Sequence, residues 1–361
     1  MRAELADFNA GLDQLVRFLE RTERENELVG LLNARRQELE AQEAALLQQL
    51  VERSTHTRQY VYAVGIVSLY GLLEQLVDGL VVSFVNHLGG FAKGYEALPE
   101  SFRTRHLEQS LALATALLKD RFRTETTHER VVANLHSCLM ARESGFTLNG
   151  HAFALHRGNH NLARITDLLS GVGIQSHLRR VVSTPAFKAH LVAQAPERDW
   201  SVMADTEVER LFEPIDDLVR RRNDVSHGAM TADQLESVPL LMERCDLVRA
   251  YGVGLHELIL QEAMKHAAEL GAARALGQPL EVYDNRIVCF EATGPIAVGD
   301  RLFAVTADAL QPVRHSQVLR LEIDRQAFPS IDSAAPVRFG VEVCFHADRR
   351  HRYFMLASDR L

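Results

Sequence analysis

The sequence predicts a multi-domain protein in which an all-α helical bundle is followed by a small all-β domain. Up to about residue 270, apolar residues recur three and four positions apart, the spacing that places them on one helix face. From Pro279 onward, short runs rich in β-branched and aromatic residues alternate with turn signals, which is typical of strands. With 361 residues, 47% of them hydrophobic and 24% charged, the chain can bury two or three cores.

Residues 1–56 are predicted to form an N-terminal helical arm. Its leucines are separated by dense mixed charge, as in RTERENE and ARRQELEAQE, which is typical of a helix face in contact with water. Gly11 and Gly30 interrupt a strict heptad repeat. The pattern fits a helical hairpin that packs on the next domain and, equally, a coiled-coil or dimerisation arm.

Residues 57–271 are predicted to form the helical domain. A long helix over 57–88 is apolar on nearly all sides and is therefore expected at the centre. Its most apolar run, 60–73, meets Glu74 and Asp78 before it reaches membrane-spanning length, so we expect a buried helix and no membrane association. The two carboxylates lie one turn apart, where they could face solvent, pair with arginines or act as an acid/base pair.

Start and stop signals place further helices in this domain. Asp205 and Thr206 followed by Glu209 form a capping-box signature, and Pro214 either kinks that helix or opens the next one. The remaining helices are expected over residues 107–118, from about Asn161 to Gly173, and from about Ser237 to Leu270.

Residues 279–361 are predicted to form a small β-barrel. Six short strands are expected, with the sequences LEVY, RIVCFEA, RLFAV, VLRLEI, VRFGVEVCF and RYFML. Closure into a barrel would avoid exposed sheet edges. The segment GPIAVGDRLFAV resembles the glycine-rich hairpin in the second-domain barrel of translation elongation factors.

Composition restricts the possible functions. A net charge of -8 argues against a protein that coats nucleic acid non-specifically, so any such contact must be local. The four cysteines are scattered without a CxxC pair, which argues against a zinc framework or a disulfide scaffold. The charged, amphipathic N-terminus is unlike a secretory signal, so a cytoplasmic location is expected. His151, His156 and His160 lack ligand spacing, and we expect neither a metal nor a cofactor.

The stretch LVRRRNDVSHG, residues 218–228, is the strongest candidate for a functional site. Four apolar residues and one arginine near it step by four and three and so share one helical stripe: Leu211, Ile215, Leu218, Arg222 and Val225. A guanidinium on a buried stripe is costly unless it is paired or faces a polar cavity. Arg222 therefore predicts either an ion pair or a polar cleft.

Arg222 and His227 could serve RNA cleavage without a metal. That reaction needs a base for the ribose 2′-hydroxyl, an acid for the departing 5′-oxygen and a cation for the phosphorane-like transition state. Histidine titrates near neutrality, and arginine binds phosphate oxygens with a fixed fork. Asn223 and Ser226 could hold the ring, the phosphate or the backbone in place.

The spacing of this pair is also a difficulty. Five residues correspond to about 140° around a helix, so Arg222 and His227 do not face the same way. Either the helix ends at Gly228 and His227 extends past its last turn, or two chains share one cleft and each contributes both residues. Arg123 and His128 show the same spacing in a polar stretch. The structural alternative is a basic last helical turn with a His-Gly cap.

RRNDVSHG resembles the R-[polar]-x(3–5)-H motif of the HEPN superfamily. The preceding VERLFEPIDDLV also resembles the approach to that motif. Two further segments, YAVGIVSLYGLLEQLVDGL and GNHNLARITDLLSGVGI, are similar to the ribonuclease-like branch found with bacterial defence and toxin genes. The resemblance spans about residues 57–270 and leaves the arm and the β domain uncovered.

The resemblance implies a HEPN-like α-helical bundle that forms a homodimer and acts as a metal-independent endoribonuclease. Arg222 and His227 would be the catalytic pair in a cleft between protomers, and Asn223 the polar residue after the arginine. A toxin or anti-phage effector with a cognate antitoxin or defence partner is the implied setting. Some HEPN proteins are inactive, so the alternative is a non-catalytic dimeric scaffold that binds protein or RNA, with Arg222 buried against Glu74 or Asp78.

Other arginines are candidate RNA contacts. Arg220 and Arg221 adjoin the motif, and Arg349, Arg350 and Arg352 surround the tip of the last predicted hairpin. A charged hairpin is more often simply exposed to solvent.

Overall fold

The computed structural model describes residues 1–119, 126–140, 145–155, 158–200, 203–229 and 231–357. The helices are α1 (Arg2–Ala34), α2 (Ala41–Phe91), α3 (Glu100–Leu117), α4 (His128–Met140), α5 (Gly150–Phe153), α6 (Leu162–Gly171), α7 (His177–Ser183), α8 (Pro185–Gln194), α9 (Asp205–His227) and α10 (Val238–Glu269). The strands are β1 (Arg274–Gly277), β2 (Glu281–Tyr283), β3 (Ile287–Ala292), β4 (Ile296–Ala297), β5 (Arg301–Val305), β6 (Val313–Gln317), β7 (Arg320–Ile323), β8 (Gln326–Ala327), β9 (Ser330–Ile331), β10 (Val337–Glu342) and β11 (Arg352–Leu356). The prediction of an all-α part followed by an all-β part is therefore confirmed.

Helix α2 is the central element of the helical part. It packs against α1, α9 and α10, and Leu73, Val77 and Phe84 on it are fully buried. The stretch His56–Phe91 is long and apolar enough to cross a membrane, yet 50% of its most apolar window is buried inside the fold. The core helix of a soluble protein passes the same test of length and composition.

The N-terminal arm is a helical hairpin made of α1 and the first part of α2. The first half of α1 packs into the helical core through Phe8, Leu15 and Leu19. Most side chains from residue 24 to residue 52 are exposed, so the tip of the hairpin stands away from that core. Residue 56, where the sequence placed the end of the arm, lies inside α2.

Helix α9 differs from the sequence prediction in two details. It begins at Asp205, and Glu207 accepts a hydrogen bond of 3.1 Å from the backbone nitrogen of Ala204. The predicted capping role of Glu209 is therefore wrong, because a carboxylate at the third helical position is the one that reaches back to the residue before the helix. Pro214 lies inside the continuous helix and does not open a new one.

The β domain consists of antiparallel sheets around one core. A four-stranded sheet has the order β1-β11-β5-β6, a five-stranded sheet the order β2-β3-β10-β7-β8, and β4 pairs with β9. The sequence predicted six of these strands and missed β1, β4, β6, β8 and β9, which are short or polar. The pairing gives separate sheets where one closed barrel was expected, and α10 packs against β6. The likeness of one hairpin to elongation factors stays a prediction.

The four-stranded sheet is buried on both faces. Leu302 and Tyr353 belong to the core of the β domain, whereas Phe303 and Phe354, their neighbours along the same strands, belong to the helical core. The two phenylalanine rings stack with centroids 5.5 Å apart. Successive side chains of a strand point to opposite faces, so one face of this sheet packs in the helical core and the other face in the core of the β domain.

Buried histidines make the fold sensitive to acid. Burial lowers their pKa from 6.5 to about 4 for His106, His177 and His256, and to about 3 for His315. At His106, Nε2 accepts the backbone N–H of Asn149 at 3.0 Å. Only the neutral ring offers such an acceptor, so protonation would break this buried contact.

We expect the free energy of unfolding to fall as the pH is lowered from about 6.5 towards 4. Over this range the unfolded chain binds protons at these histidines and the folded protein does not. Above about pH 6.5 these histidines do not lower the free energy of unfolding. Below that pH, each of them lowers it by at most about 1.4 kcal/mol per pH unit. Urea midpoints measured from pH 7.5 to 4.5 test this, and a constant midpoint between pH 7 and 5 would contradict it.

Candidate active site

The predicted apolar stripe lies on the buried face of α9. Ile215 and Leu218 are almost fully buried, Val225 packs against the helical core, and Arg222 is half-buried between them. The helix ends at Gly228, whose φ of 65° is accessible to glycine without strain. The Gly228 and Ala229 backbone nitrogens donate to carbonyls of the last turn, which closes the helix in a Schellman motif.

Among the described residues, the Arg222 guanidinium contacts the Tyr70 ring and the Asn223 side chain. Its Cζ lies 5.0 Å from the centroid of the Tyr70 ring on α2, and Nη1 donates a hydrogen bond of 3.2 Å to Oδ1 of Asn223. Among the described residues, no carboxylate lies within 4.0 Å of this guanidinium. The pairing of Arg222 with Glu74 or Asp78 that a scaffold role predicts is therefore not found in the described part of the chain.

Glu74 and Asp78 instead support groups around Arg222. The Tyr70 hydroxyl donates to Oε1 of Glu74 at 2.9 Å. Burial raises the pKa of that hydroxyl far above 10, so it stays a neutral donor. Oδ1 of Asp78 lies 2.7 Å from Nε2 of His160, whose side chain is fully buried. The two carboxylates are thus linked to Arg222 only through Tyr70 and His160 in the described part of the chain.

His227 and Ser226 lie at the exposed end of α9. His227 is the last helical residue, and no hydrogen bond, ion pair or ring contact between its side chain and Arg222 occurs in the described part of the chain. Ser226 Oγ donates to the Arg222 carbonyl at 2.9 Å, so it contacts the backbone and not the guanidinium. Because α9 is continuous from Arg222 to His227, the five-residue spacing separates the two positions by about 140° around the helix of one chain.

Arg221 belongs to an ion-pair network on another side of α9. Its guanidinium lies 2.7 Å from Asp217 and 3.2 Å from Glu236, and it donates to the Tyr62 hydroxyl at 2.8 Å. Although burial alone would raise it, hydrogen bonds from Arg221 and Arg244 hold the pKa of Asp217 below its ordinary value. The donors of Arg221 are thus directed into the fold.

The other candidate RNA contacts are exposed. Arg220 is 74% exposed and lies beside a cavity of about 590 Å³ that Asn223 also lines. In the last hairpin, Arg350 pairs with Asp348 at 2.6 Å, while Arg349 and Arg352 are exposed. These arginines lie on the β domain, and no described contact joins them to Arg222.

Histidine clusters form no metal site in the described residues. No group of three or more His, Cys, Asp or Glu side chains that could hold a metal ion occurs there. His160 contacts Asp78, and His151 lines a separate cavity of about 450 Å³. His156 lies outside the described residues, as does Arg123, the arginine of the second Arg-x4-His spacing.

Sequence reasoning missed two residues that contact the site. Tyr70 lies under Arg222, and the Asn159 side-chain amide donates to Oδ1 of Asn223 at 2.6 Å. A signal for Tyr70 was present, because it precedes Glu74 by one helical turn on α2. No local pattern indicated Asn159, which is 64 positions from its partner.

Comparison with known proteins assigns the helical part to a family. The family model described as RiboL-PSP-HEPN matches residues 23–257, more than half of the chain. No curated protein and no solved structure matches it. The match includes all of α9 and the elements that surround Arg222, and it leaves the β domain outside. The chain therefore belongs to the RiboL-PSP-HEPN family.

Proposed function

We propose that this protein is a metal-independent endoribonuclease with Arg222 and His227 as its catalytic residues. The observation that carries the proposal is the half-buried Arg222, which stays without a carboxylate partner among the described residues. A structural arginine at such a position normally pairs, because burial of an uncompensated charge is costly. An arginine that binds a phosphate at such a half-buried position must be free of a carboxylate partner, because that partner would compete with the phosphate.

In the proposed reaction, the ribose 2′-oxygen attacks the adjacent phosphorus and the bond to the 5′-oxygen breaks. The products are a 2′,3′-cyclic phosphate and a 5′-hydroxyl. His227 either accepts the 2′-hydroxyl proton or protonates the departing oxygen, and a second copy of His227 or water takes the other role. Arg222 stabilises the charge on the phosphorane-like transition state.

We propose that the active form is a homodimer. Two groups of exposed apolar residues lie on α2, with spacings of four and three inside the groups and a gap of ten residues between them: Leu46 and Leu50, then Tyr60, Val64 and Val67. Such spacing is typical of a seam between two helices. The same stripe continues through Gly71 to Glu74, which accepts from the hydroxyl of Tyr70, the residue whose ring contacts Arg222, so a second copy on this seam would lie close to the site. The seam thereby supports a cleft shared by two protomers.

The nuclease proposal is tested with purified protein and labelled RNA in EDTA. We expect cleavage that persists in the chelator and leaves 2′,3′-cyclic phosphate ends, which phosphatase does not remove and acid opens. A DNA strand of the same sequence should stay intact, since it lacks the attacking hydroxyl. Absence of RNA cleavage over a range of substrates and salt concentrations would favour the non-catalytic scaffold.

The dimer proposal predicts that Val64→Glu weakens self-association. Val64 is 46% exposed, so the change should leave the monomer folded, but a carboxylate inside the seam would lose its water. We expect the dimer dissociation constant, measured by sedimentation, to rise on the order of 100-fold or more. Val192→Glu is the matched control, because Val192 is 51% exposed on α8, away from the seam. Equal association of both variants would contradict the seam.

The cellular setting we propose is a cytoplasmic toxin or anti-phage effector with a cognate antitoxin or defence partner. Membership of a HEPN family supports this setting. The β domain would dock the RNA through Arg349, Arg350 and Arg352. Expression of the parent should arrest bacterial growth while His227→Ala does not, and growth arrest by both would argue against a nuclease toxin. Charge reversal at the three arginines should weaken RNA binding most at low salt.

A further inference from the structure

Two consecutive residues, Asn159 and His160, each hold one of the two groups that contact the Arg222 guanidinium in the described part of the chain. Asn159 donates from Nδ2 to Oδ1 of Asn223 at 2.6 Å, and that oxygen also accepts from Arg222. The backbone N–H of His160 donates to the Tyr70 hydroxyl at 2.8 Å, and the ring of that tyrosine lies under Arg222. The short segment 158–161, which precedes α6, therefore contacts one neighbour of Arg222 on α9, Asn223, and one on α2, Tyr70.

This segment is tied to both helices of the site. On the α2 side, the fully buried His160 ring lies 2.7 Å from Asp78 through Nε2. On the α9 side, the backbone nitrogen of Leu162 donates to Oδ1 of Asp216 at 2.7 Å. Buried hydrogen bonds to a carboxylate are stronger than neutral ones, so these ties fix the segment relative to α2 and α9.

We infer that Asn159 and His160 are positioning residues that set the orientation of Arg222 for phosphate binding. The inference rests on the proposed function and adds to it the residues on which the arginine's geometry depends. Neither residue is catalytic, since the His160 side chain is fully buried and Asn159 acts through Asn223. A long arginine side chain has many rotamers, and the fork binds phosphate oxygens well only in a fixed plane.

The inference is tested with Asn159→Ala and with His160→Ala against His160→Gln. Both His160 variants keep the backbone N–H, but only glutamine keeps a side-chain donor near the position of Nε2 for Asp78, so it should retain most activity. For the two alanine variants we expect kcat on RNA to fall about 10- to 100-fold with KM within about threefold of the parent. The reason is that a misaligned arginine loses contact mainly in the transition state.

Asn161→Ala is the matched control. Asn161 lies two residues from Asn159, and its side chain caps α6 by accepting from the Arg164 backbone nitrogen at 2.9 Å. Its loss should lower the thermal midpoint slightly without changing kcat, because it removes no group around Arg222. If Asn159→Ala and Asn161→Ala lose kcat in the same proportion as they lose thermal midpoint, lower stability explains the loss of activity and the inference is overturned.

A second measurement does not depend on activity. The rate at which phenylglyoxal modifies Arg222, followed by peptide mass spectrometry, should rise several-fold in Asn159→Ala and His160→Ala and stay unchanged in Asn161→Ala. An unchanged modification rate in both alanine variants overturns the inference, whether or not the protein cleaves RNA. Conversely, altered modification in a protein that cleaves no RNA would keep the positioning role and reject the nuclease proposal.

Discussion

Replacement of His227 by alanine should lower the rate of RNA cleavage about 10³-fold, because proton transfer by a placed histidine contributes a factor of that order. Arg222→Ala should cost a similar factor through the loss of charge stabilisation at the phosphorus. Both variants should stay folded, since His227 is exposed and Arg222 makes no ion pair among the described residues. Single-turnover cleavage in EDTA, with the thermal midpoint alongside, measures both effects.

Arg338→Ala is the control for these variants. Arg338 on β10 is 80% exposed and is not among the arginines assigned to the site or to RNA binding, so its loss removes equal charge without touching the proposed site. We expect its cleavage rate to stay within a few-fold of the parent. If His227→Ala cleaves RNA as fast as the parent, the catalytic assignment is wrong.

A mixture of the two inactive variants reports how the site is shared. If each cleft takes Arg222 from one protomer and His227 from the other, half of the exchanged dimers contain one intact cleft, and activity returns to about a quarter of the parent. If one cleft uses both copies of both residues, mixing restores nothing. Either outcome after confirmed subunit exchange separates these two arrangements of the proposed dimer.

Loss of the carboxylate in Glu262→Ala should destabilise the fold by about 3–5 kcal/mol. Glu262 on α10 lies 2.7 Å from Arg180 on α7, and the two side chains are only 5% and 7% exposed. Removal of the carboxylate leaves a buried guanidinium without its counter-charge, which costs more than the pair itself contributes. Urea unfolding of the parent and the variant measures the difference.

Two further variants separate the charge effect from packing. Glu269→Ala on the same helix is the control, because Glu269 is 54% exposed and its loss should change stability by less than about 1 kcal/mol. The double change Arg180→Met with Glu262→Leu should recover most of the stability lost in Glu262→Ala, since an apolar pair of similar volume replaces the ions. A destabilisation below about 1 kcal/mol in Glu262→Ala would show that the pair is hydrated.

The sequence predicted the helical face of the site better than its contacts. Spacing by three and four reports which side of a helix is buried, so Ile215, Leu218 and Arg222 were placed correctly on one stripe of α9. Which groups meet that stripe depends on packing between distant segments. The Asn159–Asn223 contact joins residues 64 positions apart, and the His160–Tyr70 contact joins residues 90 positions apart. Periodicity carries no information of that kind.

The β domain shows a similar limit. Strands with alternating or continuous apolar residues were predicted, whereas β6, with the sequence VRHSQ, has only one strongly apolar side chain. Its place in the sheet comes from pairing with β5 and from packing on α10, both of which are tertiary effects. Sequence likewise could not indicate that one sheet would serve two cores.

The length of α2 has a mechanical consequence. At 1.5 Å per residue, its 51 residues span about 76 Å, and about 36 Å of continuous helix separate Leu46 in the arm from Tyr70 under Arg222. The helix contains no proline, so bending it sharply would break backbone hydrogen bonds. A molecule that binds the arm and rotates it would also rotate Tyr70, because both belong to one continuous helix. A force applied far from Arg222 would thereby change the contact between the tyrosine ring and the guanidinium.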